Sequence, residues 1–322
     1  MQALVVPSAT THDLTALTWA ERPMPTLRAD EVLLKTQAVG LNPVDYKLVT
    51  GPHPDWTYPH TLGLDVAGII EAVGSAVTAF TPGQRVCGHG NLAVNGSFAE
   101  YVSFPAAALA PIPDTVSFET AAASLCAGLT AYQALFRKAN LNAVQTVLIH
   151  AGAGGVGSMA IQLAKQAGKT VYTTVSKAKQ PFVAALKPDQ QIDYRAEDVD
   201  ARLQTLTHGH GVDLIINTIG HAEADLPRLA YNGQLVCVLG LPAVMPNQPV
   251  TISKLDLGGA HRSGNPAQVA DLGRMAQALL TLVAAGKVDP QVSATLSRDQ
   301  LVTGLIRLQA GQVVGKLVVN FD

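Results

Sequence analysis

Residues 146–168 read TVLIHAGAGGVGSMAIQLAKQAG. The run TVLIHA (146–151) fits a short strand buried on both faces, and the residues beyond it have a helical period. Apolar residues recur at Val156, Met159, Ala160, Leu163, Ala164 and Ala167, and Gly168 stands where a C-terminal cap belongs. Between strand and helix, Gly152, Gly154 and Gly157 satisfy the spacing G-x-G-x-x-G. Each glycine serves a separate physical purpose. Gly152 permits the tight turn, Gly154 lets the backbone approach a pyrophosphate, and Gly157 allows the helix to pack close to the strand. The N–H groups that open the helix, at Gly155 and Val156, join the positive end of its dipole in favouring an anion. A bound dinucleotide is expected; a small-residue turn packed for its own sake is the competing reading.

Outward from this unit, strand and helix patterns alternate. TVYTTV (170–175), VDLIIN (212–217) and QLVCVLG (234–240) read as further buried strands, so a doubly wound parallel sheet is expected. The first hundred residues differ, with β-rich runs such as EVLLKTQAVG and DVAGIIEAVG punctuated by the turn signals TPG (81–83) and NGS (95–97). FETAAASLCAGLTAYQALF, from Phe118, is rich in helix formers. Beyond residue 262 come an amphipathic helix, a short helix and a closing strand, GKLVVNF, placed to return to the first domain. The pattern changes put borders at about 122/123 and 262/263, on either side of the dinucleotide-binding segment.

Composition narrows the function. A chain of 322 residues suits two domains, and 48% hydrophobic with 14% charged residues supplies large cores. The net charge of −2 offers no positive field for nucleic acid, so small-molecule partners are expected. Cys87, Cys126 and Cys237 are scattered with no C-x-x-C pair, which argues for a reducing compartment. The first charge is Asp13, so a basic signal start is missing, and no long apolar run suggests a membrane span. A cytoplasmic protein is expected.

The end of the second strand decides the dinucleotide. An NAD site places a carboxylate about 20 residues beyond the glycines. Here the strand ends Thr173, Thr174, Val175, Ser176, followed by Lys177 and Lys179, and the first acid after Gly157 is Asp189. Hydroxyl and ammonium groups bind a 2′-phosphate that a carboxylate would repel, so NADPH is expected over NADH. A solvated helix start is the bland reading of the two lysines.

The chain resembles the zinc-independent quinone oxidoreductases of the medium-chain dehydrogenase/reductase superfamily. The likeness rests on AVGLNPVD (38–45), GLDVAGIIEAVGSAV (63–77), PGQRVCG (82–88), GSFAEYV (96–102), AGLTAY (127–132), AGAGGVG (151–157) and the terminal GKLVV. It implies an α/β protein with a GroES-like β-rich catalytic domain, residues 1–122 with 263–322, and a Rossmann nucleotide-binding domain, residues 123–262. It also places Ser176, Lys179 and Tyr194 around the 2′-phosphate and Thr130 beside the nicotinamide. Lys179 outranks Lys177 because the family sets a lysine fifteen residues before the tyrosine of its I-x-Y-R/K pattern, here IDYR. Leu239 completes the expected cofactor set.

Matching the zinc-dependent members of the superfamily puts their Cys, His and Cys ligands on Asn42, Leu64 and Cys126. One thiol beside an amide and a leucine falls short of the three protein ligands a catalytic zinc takes, so no metal is expected. HGH (208–210) and the pair His53 and His60 lack further ligands at metal spacing. Cys126 reads as a small packed hydrophobe, with a redox-sensitive thiol as the alternative. Without a Lewis acid, reduction of a quinone or an α,β-unsaturated carbonyl is easier than alcohol oxidation, because the acceptor delocalises charge onto oxygen. Placement of nicotinamide and acceptor across a domain cleft is then the main catalytic requirement.

Asn42 is expected to donate to the acceptor oxygen, with Tyr46 and His53 as further catalytic candidates. His53 stands where relatives carry a tyrosine, and imidazole titrates near neutrality. If GPHPDWTYPH is only a surface loop, Tyr58 is the alternative phenol. Asp45 and Asp65 either face the cleft or tie the asparagine loop to nearby backbone. The leading expectation is an NADPH-dependent reductase of quinones or similar electrophilic carbonyls. A 2-enoyl or alkenal reductase, and a non-catalytic NADPH-binding partner protein, are the alternatives. The resemblance also implies a homodimer through the edge of the nucleotide-binding sheet, with QLVCVLG as the candidate edge.

Overall fold

The computed structural model describes residues 1–50, 54–244 and 247–321. The chain divides into two compact units, one of residues 1–129, 258–286 and 290–322, the other of 130–257 and 287–289. The borders expected from the sequence, 122/123 and 262/263, differ from the 129/130 and 257/258 borders of these units.

In the first unit, the strand Glu31–Gly40 is the hub of a seven-stranded sheet, pairing with Asp65–Val73, Tyr101–Pro105 and the closing strand Lys316–Asn320. Its burial alternates, as a half-buried strand requires, and turns continuous over Ala38–Gly40 where both faces are covered. Leu34, Ile70, Val86 and Phe104 fill one core; Leu4, Leu41, Phe98 and Leu317 belong to another. The antiparallel pairing of residues 318–320 with 38–40 carries the chain's last segment back to the loop that begins at Leu41. The helix Pro43–Val49 starts there, with Pro43 in the first turn where its missing N–H costs nothing.

The second unit holds a six-stranded parallel sheet in the order Gln190–Asp193, Thr170–Val175, Thr146–Ile149, Val212–Asn217, Leu229–Cys237, Thr251–Lys254. From the strand Thr146–Ile149 the chain builds outward on one side, then returns to add Val212–Asn217 on the other. The reversal leaves a switch point beside residue 149, where open α/β sheets bind their ligands. The helix Gly155–Gln166 buries Met159, Ile161 and Leu163, each side chain contributing about 1.5–3 kcal/mol. Gly168, at φ +72°, ends it in the left-handed region.

One expectation is corrected. QLVCVLG is an interior element: Leu229–Cys237 pairs with Val212–Asn217 on one side and Thr251–Lys254 on the other, so the edge belongs to the shorter strand Thr251–Lys254.

Candidate functional site

The glycine loop has the geometry its spacing implies. A Cβ on Gly152 would lie 2.3 Å from Thr173 Oγ1, and one on Gly157 would lie 2.3 Å from the Ala151 carbonyl oxygen, so both glycines are required by the packing. Gly154 is different. A Cβ there would meet only the Ala151 oxygen, at 3.4 Å, an ordinary contact. The fold leaves space at this residue that its own side chains do not use, beside a helix N-terminus that no side chain caps. Gly154, Gly155 and Val156 are partly exposed, whereas Gly152 and Gly157 are buried. Uncapped N–H groups and open backbone form a cradle that suits a pyrophosphate.

Parallel register sets the far end of this cradle. Val175 pairs with Asp193, so Ser176 and Tyr194 are the next residues at the same end of neighbouring strands. Ser176 precedes the short 3₁₀ turn Lys177–Lys179, and the Lys179 N–H donates to the Ser176 carbonyl at 2.8 Å. Tyr194 is half exposed, with the Arg195 guanidinium 5.7 Å from its ring centre. Asp189 is occupied elsewhere, accepting from Lys165 Nζ at 2.8 Å and from the Val171 N–H at 2.7 Å near the start of its strand. Asp193 is turned to its own loop, accepting from the Arg195 N–H at 3.1 Å. Leu239 follows the strand Leu229–Cys237 and is exposed; Thr130 is buried on the helix Cys126–Gln133.

In the first unit, buried polar groups gather around Asp65. Its carboxylate accepts from Asn42 Nδ2 at 2.8 Å and from the Cys126 N–H at 3.0 Å, and it lies 3.0 Å from His89 Nδ1. Lys316, 3% exposed, donates to the Leu41 carbonyl at 2.8 Å and to Asn42 Oδ1 at 2.5 Å, and its ammonium lies 3.8 Å from Asp65 Oδ2. Asp45 accepts from the Asn42 N–H at 2.7 Å. Burial pushes the Asp45 carboxyl up to about 8; the nearby Asp65 adds to this, while the Asn42 N–H and Lys316 oppose it.

This network changes the reading of Asn42. Both amide hydrogens are engaged, one by Asp65 and one by the Gly40 carbonyl at 3.2 Å, so donating to an acceptor oxygen would break one of these bonds. Asn42 instead fixes the loop that opens the helix Pro43–Val49, on which Tyr46 sits half-buried against an apolar cluster. Asp45 binds a local backbone N–H, that of Asn42, whereas Asp65 binds the distant Cys126 N–H. His53 lies outside the described residues. Tyr58 packs edge-on against Trp56, which stacks on His60 with 4.0 Å between ring centres. A cavity of about 690 Å³ in this unit, bordered by Met24, Asn91, Tyr101 and His261, is not lined by Asn42 or Tyr46.

The three positions aligned with zinc ligands converge around Asp65: Asn42 through its amide, Cys126 through its backbone N–H, and Leu64 as the preceding residue. The donor set does not fit zinc, because the amide is engaged, the leucine has no ligand atom, and burial, with Asp65 nearby, raises the Cys126 thiol well above its usual range. Among the described residues no group of three His, Cys, Asp or Glu side chains is arranged to hold a metal. His208 and His210 are exposed. Lys316 escapes a reading of the sequence; its signal is a lone charge opening an apolar strand, a position that calls for a buried partner.

No helix among the described residues is long and apolar enough to cross a membrane. Residues 28–114 match the alcohol dehydrogenase GroES-like domain and residues 186–319 match the zinc-binding dehydrogenase family. The trans-enoyl reductase ACTTS2 of Alternaria alternata is 36% identical over 63% of this chain, which spans 62% of that protein's length. Quinone oxidoreductase 1 of Escherichia coli (strain K12) is 32% identical, with 73% of this chain and 70% of that protein covered. A quinone oxidoreductase of Pseudomonas syringae pv. Tomato DC3000 superposes over 100% of both chains, with a TM-score of 0.88 and 28% identity.

Proposed function

Because the chain belongs to the quinone oxidoreductase family of the medium-chain dehydrogenase/reductase superfamily, we propose that it is an NADPH-dependent reductase of quinones or similar electrophilic carbonyl compounds. The observation that carries this reading is the open backbone at Gly154 beside an uncapped helix N-terminus, at a sheet switch point. Gly152 to Gly157 would hold the pyrophosphate, and Ser176, Lys179 and Tyr194 the 2′-phosphate, with Thr130 and Leu239 nearer the nicotinamide. Among the described residues no carboxylate ends the strand Thr170–Val175, and Asp193, which ends Gln190–Asp193, is buried and bonded to the Arg195 N–H, which supports NADPH over NADH. When bound, NADPH supplies a hydride.

The chain's own residues orient the acceptor and manage its charge. Tyr46 is the candidate donor to the acceptor oxygen, since no hydrogen bond engages its hydroxyl among the described residues. Asn42, bonded to Asp65 and Lys316, and Asp45, which accepts the Asn42 N–H, hold the start of its helix. A positioned donor of this kind stabilises charge developing on a quinone or enone oxygen without a metal.

The likeness to a trans-enoyl reductase favours a second reading, reduction of an enoyl or alkenal double bond. A panel of quinones, alkenals and enoyl thioesters, followed by loss of NADPH absorbance, separates the two. Binding of NADPH without turnover of any member would overturn both and leave a non-catalytic binding role. A homodimer through the Thr251–Lys254 edge is part of the proposal, because an edge strand offers unpaired backbone groups. Light scattering of a monomer at working concentration would remove it.

A further inference from the structure

Behind the glycine loop, three strand ends and a 3₁₀ helix share one buried polar chain. His150, 2% exposed, follows the strand Thr146–Ile149; its Nε2 lies 2.8 Å from Asp225 Oδ1 and its Nδ1 lies 3.0 Å from Thr174 Oγ1. Asp225, on the 3₁₀ helix Ala222–Arg228, also accepts from Asn217 Nδ2 at 2.7 Å and from Arg228 Nη1 at 2.8 Å. Burial pushes its carboxyl up, but the hydrogen bonds from His150, Asn217 and Arg228 outweigh this and leave it below its usual range.

Hydrogen accounting gives the chain a direction. The Asp225 carboxylate only accepts, so the imidazole hydrogen sits on Nε2. In the neutral ring Nδ1 is then bare and accepts the Thr174 hydroxyl hydrogen, while Thr174 Oγ1 itself accepts the Ala151 N–H at 3.2 Å. Carboxylate, imidazole and hydroxyl in this order have the connectivity of a hydrolytic triad. Thr174 is only 4% exposed and its oxygen already accepts a backbone N–H, so no substrate carbonyl reaches it. What the chain controls is Ala151, a non-glycine residue at φ +52°. The Ala151 carbonyl in turn accepts the Gly154 N–H at 2.9 Å, and the Gly152 N–H donates to the Thr174 carbonyl at 3.0 Å.

We propose that Asp225, His150 and Thr174 form a positioning relay that holds the Ala151 peptide, and through it Gly154, in the shape that receives a dinucleotide pyrophosphate. The relay rests on the dinucleotide reading of the proposed function and adds three residues that do not touch the ligand. Thr174→Val keeps the branched volume and removes the hydroxyl; Thr174→Ser restores it. NADPH and adenosine 2′-monophosphate, which has no pyrophosphate, are titrated into the full-length wild type and both variants. Thr174→Val is expected to weaken NADPH about tenfold, the loss of roughly one hydrogen bond's worth of loop order, while the 2′-monophosphate stays within about twofold and Thr174→Ser recovers NADPH. Equal weakening of both ligands, or none of either, overturns the relay. If Thr174→Val does not fold, Asp225→Asn is read with the same pair of ligands and the same expectation. Failure of the wild type to bind NADPH is a separate outcome; it removes the cofactor reading and the relay with it.

Discussion

Lys316 Nζ lies 2.5 Å from Asn42 Oδ1, a contact that ties the closing strand to the loop opening the helix Pro43–Val49. Lys316 is also the cation beside Asp65, and both side chains are almost wholly buried. Removing one member of such a pair strands the other charge away from water. Lys316→Met is therefore expected to cost about 3–5 kcal/mol in urea unfolding. Adding Asp65→Asn should return part of that loss, because the orphaned carboxylate disappears. A single variant as stable as wild type would show that the Asp65 charge is satisfied by Asn42, His89 and the Cys126 N–H alone.

Asp45 gives the same network a pH dependence. Its folded-state value is raised to about 8, so the folded protein keeps a proton that the unfolded chain releases. Below about pH 4 both states are protonated and the group contributes nothing to the slope. Between about pH 4 and about pH 8 stability falls as pH rises, by up to roughly 1.4 kcal/mol per unit, and above that the loss levels off. Asp45→Asn should flatten this segment of the stability profile. An unchanged slope in chemical unfolding across the window contradicts the assignment.

The parts of the fold legible in the sequence are those written locally. Strand, glycine turn and helix lie within residues 146–168, and each signal depends on neighbours a few positions away. Strand order is not local, so QLVCV reads as an edge although the short strand Thr251–Lys254, with little apolar patterning, covers it. Asn42 reads as a free donor for a similar reason. Its partners Asp65 and Lys316 come from distant strands, and only the folded register shows that its donors are already committed. His150 is no more than the end of a buried strand until the topology supplies Asp225 and Thr174.

Lys179 tests the cofactor preference directly. A charged hydrogen bond to a 2′-phosphate is worth roughly 1.5–3 kcal/mol. Lys179→Ala should weaken NADPH at least about tenfold and leave NADH affinity unchanged. Fluorescence titration of both cofactors reads the difference; parallel losses would place the lysine in the fold rather than at the phosphate.

Gly154 and Gly157 differ by three positions and should fail in opposite ways. At Gly157 a Cβ meets the Ala151 carbonyl oxygen at 2.3 Å, so Gly157→Ala has to push helix and loop apart. A cost of about 1–3 kcal/mol is expected even without ligand, the usual range for overpacking. At Gly154 φ is −81° and the added methyl makes one ordinary contact at 3.4 Å, so Gly154→Ala should fold with near wild-type stability. The methyl then projects into space left open at the head of the helix, where the backbone is expected to approach a pyrophosphate. Gly154→Ala should weaken NADPH at least about tenfold with no change in the unfolding midpoint of the ligand-free protein. Retained affinity in this variant would mean that the open space at Gly154 is not where the cofactor lies, and the proposed function would lose the observation that carries it.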